Sequence, residues 1–302
     1  MSIPRARGAR LRPQLRLLLV LALLAPGAGA AGQGAAGQGS SLAELVPRNA
    51  RIDVTGGVTG FEGAAGGGLV PWALVAGYGS RGEVGASVFG TRARLDDLDL
   101  EVAGFAVAWE DRLELSAARQ RLHVEPLDTD IEQDVYGVKL RVLGRAPYTD
   151  LPQIAVGAQY KRNRDFDGVP AALGARREDG IDYYVSAGKL FFAAVAGRNL
   201  FTNATLRWSR AHETGLMGFG SERRLLVEGS VGLFVTDDLV VGAEYRQKPA
   251  GLDGFDESDW MDLFVAWFPV RHLSVTLAHL DFGDVVIFDD QRGWYLSLEA
   301  SL

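Results

Sequence analysis

Apolar and polar residues alternate with a period of two along most of this chain. Tyr136, Val138, Leu140 and Val142 alternate with Gly137, Lys139 and Arg141. Met261, Leu263, Val265 and Trp267 alternate with Asp262, Phe264 and Ala266, and the last nine residues repeat the pattern from Trp294 to Leu302. Such alternation marks strands whose two faces meet different surroundings. It divides the chain into about fourteen strands, at 51–60, 71–79, 82–94, 98–109, 112–123, 134–145, 152–163, 180–193, 201–211, 224–235, 239–248, 259–268, 272–282 and 292–302. Most exceed the globular mode of about 5–6 residues. They suit a tilted transmembrane strand, which needs about 9–11.

The connections add a topology. Those after the second, fourth, sixth, eighth, tenth and twelfth strands are short, as at Glu110-Asp111 and Thr236 to Asp238. Those after the first, fifth, seventh, ninth, eleventh and thirteenth run 9–16 residues, and only the link at Leu95 to Asp97 breaks the rule. Short turns on one side and long loops on the other are the plan of an outer-membrane barrel. The expected fold is therefore all-β, a closed antiparallel transmembrane barrel of about 14 strands, with 12 as the alternative. The alternative arises because Arg51–Gly60 is Gly-rich and also reads as a plug or a loop, which leaves 12 if another weak strand is lost with it. Gly56, Gly57, Gly66, Gly67 and Gly68 suit either a tightly curved wall or the close approach of an inner segment.

The first residues form an address. Arg5, Arg7, Arg10, Arg12 and Arg16 precede an apolar run, Leu17 to Ala25, and the small residues Ala28 to Ala30 follow a Pro-Gly break. This is the pattern of a cleaved secretory signal peptide, so residues 1–30 are assigned to it. Residues 31–50 are read as a flexible Gly/Ala/Gln-rich periplasmic linker, with one helical turn starting at Ser41 to Glu44, a capping-box spacing. A small plug entering the pore is the sharper reading of that stretch. The barrel is assigned to residues 51–302. Gly63 to Ser80 carries no charge for 18 residues, but six Gly and Pro71 make it a poor membrane helix.

Composition narrows the chemistry. The 302 residues include no Cys, which excludes disulfides, thiolate metal sites, a Cys nucleophile and a lipoprotein anchor. Beyond residue 30 there remain 26 basic against 38 acidic residues, a net charge of −12 and a poor surface for nucleic acid. Trp72, Tyr136, Tyr160, Trp208, Tyr245 and Trp294 fall near the long-loop ends of their strands, and Tyr78, Trp109 and Trp267 near the short-turn ends. Two such belts are the girdles of a membrane barrel.

Several stretches also carry a resemblance: Thr55–Gly79 (TGGVTGFEGAAGGGLVPWALVAGYG), Asp134–Gly144 (DVYGVKLRVLG), Leu151–Lys161 (LPQIAVGAQYK), Gly215–Gly220 (GLMGFG), Val241–Pro249 (VGAEYRQKP) and Asp259–Pro269 (DWMDLFVAWFP). Together they resemble an uncharacterised family of Gram-negative bacteria, a domain of unknown function taken to form an outer-membrane barrel. The resemblance covers about residues 51–302 and implies export and a barrel, with no activity and no catalytic residues. A terminal Leu302 departs from the Phe or Trp usual in such barrels, which bears on the strength of the assembly signal.

If the apolar faces meet lipid, the opposite faces line a lumen. The expected pore-lining residues are Lys139, Arg141, Lys161, Arg207, Glu228, Glu244, Asp262 and Glu299, and the same alternation places Asp99, Glu101, Glu114, Asp182 and Arg246 inside. The bases fall on the sixth, seventh and ninth strands and the acids on the tenth, eleventh, twelfth and fourteenth. Two arrangements are open: opposed walls setting a transverse field across water, or neighbours pairing into a rigid ionic filling. Three acidic loops, around Glu125 to Asp134, Asp253 to Asp259 and Asp284 to Asp290, offer oxygen ligands, but Gln133 and Lys139 break the calcium-loop template, so solvated loops are expected rather than a metal site. His272 and Ser274 are the one His/Ser pair on a strand face.

The function expected is an exported monomer in the cell outer membrane: a channel or porin-like passage for small solutes through a charged lumen, not an enzyme and without cofactors. Its expected partners are outer-membrane lipid, lipopolysaccharide and the barrel-assembly machinery. The alternatives are a lipid-modifying acyl hydrolase and a non-catalytic structural surface barrel.

Overall fold

A computed structural model describes residues 58–79, 82–145, 151–248 and 258–302. The signal peptide, the linker and its helical turn lie outside the described residues. The elements are β1 (Val58–Thr59), β2 (Ala65–Gly66), β3 (Val84–Leu95), β4 (Leu98–Trp109), β5 (Leu113–Val124), β6 (Thr129–Leu143), β7 (Gln153–Asn163), β8 (Asp179–Val195), β9 (Arg198–Ala211), β10 (Phe219–Phe234), β11 (Leu239–Arg246), β12 (Trp260–Val270), β13 (Leu273–Val285) and β14 (Phe288–Ser301). One short helix, α1 (Val169–Ala172), sits in the loop between β7 and β8.

Strands β3 to β14 form a closed barrel of twelve antiparallel strands, each paired with its sequence neighbours. Closure comes from β14 pairing with β3, from Gly293↔Leu95 to Ser301↔Ser87. A closed sheet leaves no unpaired edge, which is what allows a sheet to sit in hydrocarbon. An eleven-residue strand such as β12, tilted by 35–45°, spans about 26–30 Å, the thickness of a bilayer core.

The count of fourteen is corrected to twelve. The expected strand at 71–79 is not part of the wall, and of the one expected at 51–60 only Val58 to Gly60 fall among the described residues. Val58–Thr59 pairs only with Ala65–Gly66, and residues 60–79 run inside the barrel, buried almost throughout. The physical reason is side-chain size and charge: six Gly between 63 and 80 give a narrow segment, with no ion for the polar face of a wall strand. Period-two alternation alone does not separate a wall strand from an extended inner segment.

The long-loop end is also less loopy than expected. β6 starts at Thr129, β10 at Phe219 and β14 at Phe288, so much of three expected loops is extended strand. Acids expected in a solvated loop are instead paired across the outer face of the sheet. Arg121 and His123 hold Asp130, and Arg119 and Arg164 hold Asp134.

Orientation of the two faces is settled by exposure. Leu140, Leu263 and Leu298 are 37, 68 and 50 % exposed on the outer wall. Trp109 and Trp267 stand out at the short-turn end, with Tyr136, Trp208 and Trp294 toward the other. Trp72 is a correction: it belongs to the inner segment and is buried against Phe201, with ring centroids 4.6 Å apart. Asp99 and Glu101 are a second, since both lie on the outer wall beside Arg92. Val265 sits on the outer face at the middle of β12. Val265→Arg is expected to lower the stability of the lipid-embedded protein by about 2–4 kcal/mol, the cost of a cation at the bilayer midplane. Urea unfolding in vesicles measures it, and an unchanged midpoint would contradict the membrane placement.

Candidate functional site

The charged residues of the inner wall converge on the inner segment, residues 60–79. An irregular chain inside a barrel must find partners for its backbone N–H and C=O groups, each costly to bury unmatched. The wall supplies them. Glu114 accepts from the N–H groups of Ala65 and Ala76, at 3.1 and 2.9 Å. Lys139, on the neighbouring strand, donates its Nζ to the carbonyls of Ala65 and Leu74, at 2.6 and 2.9 Å, and to Glu114 at 3.3 Å. One buried ion pair thus grips both limbs of the segment.

Opposite it, Glu244 accepts from the Leu69 N–H at 2.7 Å, the Ser230 hydroxyl at 2.5 Å and the Trp72 indole N–H at 3.2 Å. The hydroxyls of Ser186 and Thr205 donate to the Pro71 carbonyl, at 3.0 and 2.9 Å. Asn203 accepts from the Ala73 N–H at 3.0 Å while Gln153 donates to the Ala73 carbonyl at 2.6 Å. Gln120 and Gln159 donate to the carbonyls of Phe61 and Glu62, at 2.7 and 3.2 Å. Gly67 is required by this fit, because a Cβ there would run into the Glu244 carboxylate.

The segment contributes one ion, Glu62, and it lies at the centre. It pairs with Lys161, with Arg207 at 3.0 Å and with Arg246, whose two terminal nitrogens each donate at 3.0 Å. Those three cations are otherwise shared with Asp182 and Glu228. Lys161 reaches Asp182 at 2.7 Å, and Arg207 reaches Glu228 at 2.5 Å. Arg246 lies 3.6 Å from Glu228 and also donates to the Leu69 carbonyl at 3.0 Å. Three cations therefore face three carboxylates in a buried network. Burial of this kind is tolerated only when every charge is matched.

All eight side chains singled out from the sequence project into the barrel and are buried. Lys139, Lys161, Arg207, Glu228 and Glu244 belong to the seat of the segment and its network. Asp262 adjoins it, its Oδ1 accepting from the Glu244 N–H at 3.1 Å. Arg141 and Glu299 do not reach it. Arg141 pairs with Asp111 at 2.7 Å near the β4–β5 turn, and Glu299 accepts from Ser301 at the same end. The bases and acids meet as bonded neighbours, so of the two arrangements open in the sequence the ionic filling is the one observed. Sequence reasoning missed Glu62 and the uncharged partners Gln120, Gln153, Gln159 and Asn203. Glu62 carried a signal, as the one ion heading an 18-residue charge-free stretch.

At the long-loop end the β9–β10 connection, residues 212–218, folds over the lumen. Asn163 donates to the Leu216 carbonyl at 2.6 Å, Gln133 to the Thr214 carbonyl at 3.2 Å, and Lys248 to Glu213 at 2.5 Å. Burial holds the His212 imidazole below its usual range, with the Arg224 charge acting in the same direction. The His272–Ser274 pair lies at the short-turn end. His272 faces the Ser301 carbonyl through Nδ1 at 2.7 Å, and among the described residues no hydrogen bond joins it to Ser274, the contact a nucleophile and base require.

Fold and site together define a transmembrane β-barrel whose lumen is filled by a tethered segment of its own chain. The chain belongs to the DUF3034 family, proteins of unknown function, whose pattern matches residues 55–299. No curated protein matches it. Among solved structures it is similar to the KdgM porin, at 8 % identity and a TM-score of 0.48 over 72 % of this chain and 99 % of that one. The NanC porin matches at 9 % identity and 0.48, over 72 % of this chain and 100 % of that one. Acinetobacter baumannii outer membrane protein Omp33 matches at 13 % identity and 0.44, over 72 % and 97 %.

Proposed function

We propose that this protein is an outer-membrane channel for small polar solutes, closed in the conformation described by residues 60–79. The observation that carries the reading is the chemistry of the seat. The plug is held by hydrogen bonds and ion pairs to Glu114, Lys139, Glu62-bound Arg246 and a ring of amides and hydroxyls. Such contacts exchange for water at a small net cost, about 0.5–1.5 kcal/mol each, while Phe61, Leu69 and Trp72 pack on apolar wall residues and keep the plug seated for most of the time. When the plug leaves, Arg207 with Glu228 and Lys161 with Asp182 stay paired. The wall it uncovers carries these ions, amides and hydroxyls beside aromatic rings such as Phe89, Phe201 and Tyr295.

A reversible lock tests this. The chain has no Cys, and a Cβ built on Gly188 of the wall lies 3.4 Å from the Ala73 Cβ of the plug. That separation is close to the 3.5–4.5 Å of a disulfide. Ala73→Cys with Gly188→Cys, oxidised, is expected to abolish conductance in planar bilayers, and reduction to restore it. Silence of the wild type and of the reduced double variant alike would overturn the channel reading.

A further inference from the structure

On the outer wall, β6 to β10 form a shallow apolar hollow of about 570 Å³. It follows one register row, in which Ala158 faces Tyr183, Tyr183 faces Trp208 and Trp208 faces Leu225. Val185 and Leu206 pair in the row below. The hollow exists because Ala158 is small where its row neighbours are large. Tyr160, of the aromatic belt, lies two residues further toward the long-loop end.

Arginines stand immediately beyond the hollow on that same side. Arg210 follows Trp208 on the outer face of β9, and Arg223 precedes Leu225 on β10. The Arg223 guanidinium lies 5.1 and 5.0 Å from the ring centres of Tyr183 and Trp208 and donates to the Ile181 carbonyl at 3.0 Å. Arg177 comes to the same place, its backbone bridging Phe219, which pairs with Ala211 beside Arg210. The Nε–H groups of Arg210 and Arg223 are buried and meet no acceptor among the described residues. Elsewhere on this wall the arginines are matched: Arg92 holds Asp99, Arg119 holds Asp134 and Arg121 holds Asp130. Three arginines crowded without a bonded carboxylate call for an anion, and their level is that of lipid headgroups in the leaflet on the long-loop side.

We propose that this face is a binding site for a phosphorylated, multiply acylated lipid of the outer leaflet. The phosphate is bound by Arg177, Arg210 and Arg223, and acyl chains lie in the hollow between Ala158 and Leu225. Guanidinium forks match phosphate oxygens in geometry and charge. The rings of Tyr183 and Trp208 hold Arg223 at the junction of phosphate and chains. The site is on the opposite face of the wall from the plug and does not depend on the channel reading.

Native mass spectrometry of the folded full-length protein in detergent tests it, with purified diphosphorylated lipid A as the probe. The wild type is expected to retain lipid A selectively over its dephosphorylated form. Arg210→Ala with Arg223→Ala is expected to weaken retention about 100-fold, near tenfold for each charge-assisted hydrogen bond lost. Arg210→Lys with Arg223→Lys keeps the charge and is expected to recover part of it. Ala158→Phe fills the hollow from a lipid-facing position the barrel tolerates, and is expected to weaken lipid A as well. Equal retention by the double alanine variant, or equal retention of dephosphorylated lipid A by the wild type, would overturn the site. Binding of inorganic phosphate as tightly as lipid A would overturn the role given to the hollow.

Discussion

A chain lacking residues 61–76 is expected to form the same barrel and to conduct ions continuously, where the intact protein conducts only while the plug is out of its seat. The wall is complete without the segment, because β14 pairs with β3 and every barrel strand has two strand neighbours. What the deletion removes is the filling. Glu114, Lys139, Glu244 and Arg246 then turn to water, and the remaining obstruction is the 212–218 loop over the long-loop mouth. Single-channel recording checks this. The deletion should turn intermittent openings into steady unit steps, and shortening the 212–218 loop as well should raise the step size further. A folded deletion variant that stays silent would mean that the barrel is a scaffold and the plug part of its core.

Glu62→Ala is expected to be the most damaging single substitution in the plug. Lys161, Arg207 and Arg246 would share two carboxylates instead of three. Breaking a buried ionic network by removing one member costs about 3–5 kcal/mol, because a charge is left unmatched. That is a shift of roughly two to four decades in the balance of seated and unseated plug. The unmatched charge disappears only if the plug leaves and water enters. A single Cys at position 73 reports the seated fraction by its rate of labelling with a water-soluble thiol reagent. Labelling should be slow with Glu62 in place and fast in Glu62→Ala. Glu62→Gln keeps one hydrogen bond to Arg246 and should fall between them. Equal rates in all three would remove the network from any part in holding the plug.

The wall of the barrel was legible in the sequence because a strand with lipid on one side and protein on the other has no choice about alternation. β4 was expected at 98–109 and spans Leu98–Trp109; β7 was expected at 152–163 and spans Gln153–Asn163. The same logic placed Lys139, Arg207 and Glu244 inside. What alternation does not encode is the third dimension of the lumen. Lys139 was grouped with Arg141 by sign and spacing, yet one grips the plug and the other closes a turn, a difference of two residues along one strand. The plug itself was masked by its resemblance to strand. Residues 71–79 are apolar like the lipid face of a wall strand, but they bond to wall side chains as well as to the main chain, Trp72 to Ala65 and Tyr78 to Leu302. The charge-free stretch after Glu62 was the available clue, and its meaning depended on knowing how many strands close the ring.

The wall grips the plug largely through main-chain atoms. Ala65, Leu69, Pro71, Ala73, Leu74 and Ala76 are each held by a peptide N–H or C=O, and of the plug's side chains Glu62 and Trp72 supply polar contacts. Beyond those peptide contacts, the seat asks for slimness at Gly67 and for apolar side chains where Phe61, Leu69 and Leu74 pack on the wall. A synthetic oligopeptide that repeats residues 60–79 meets those demands. Supplied in trans from the short-turn side, it becomes a reversible stopper for a barrel emptied of its own.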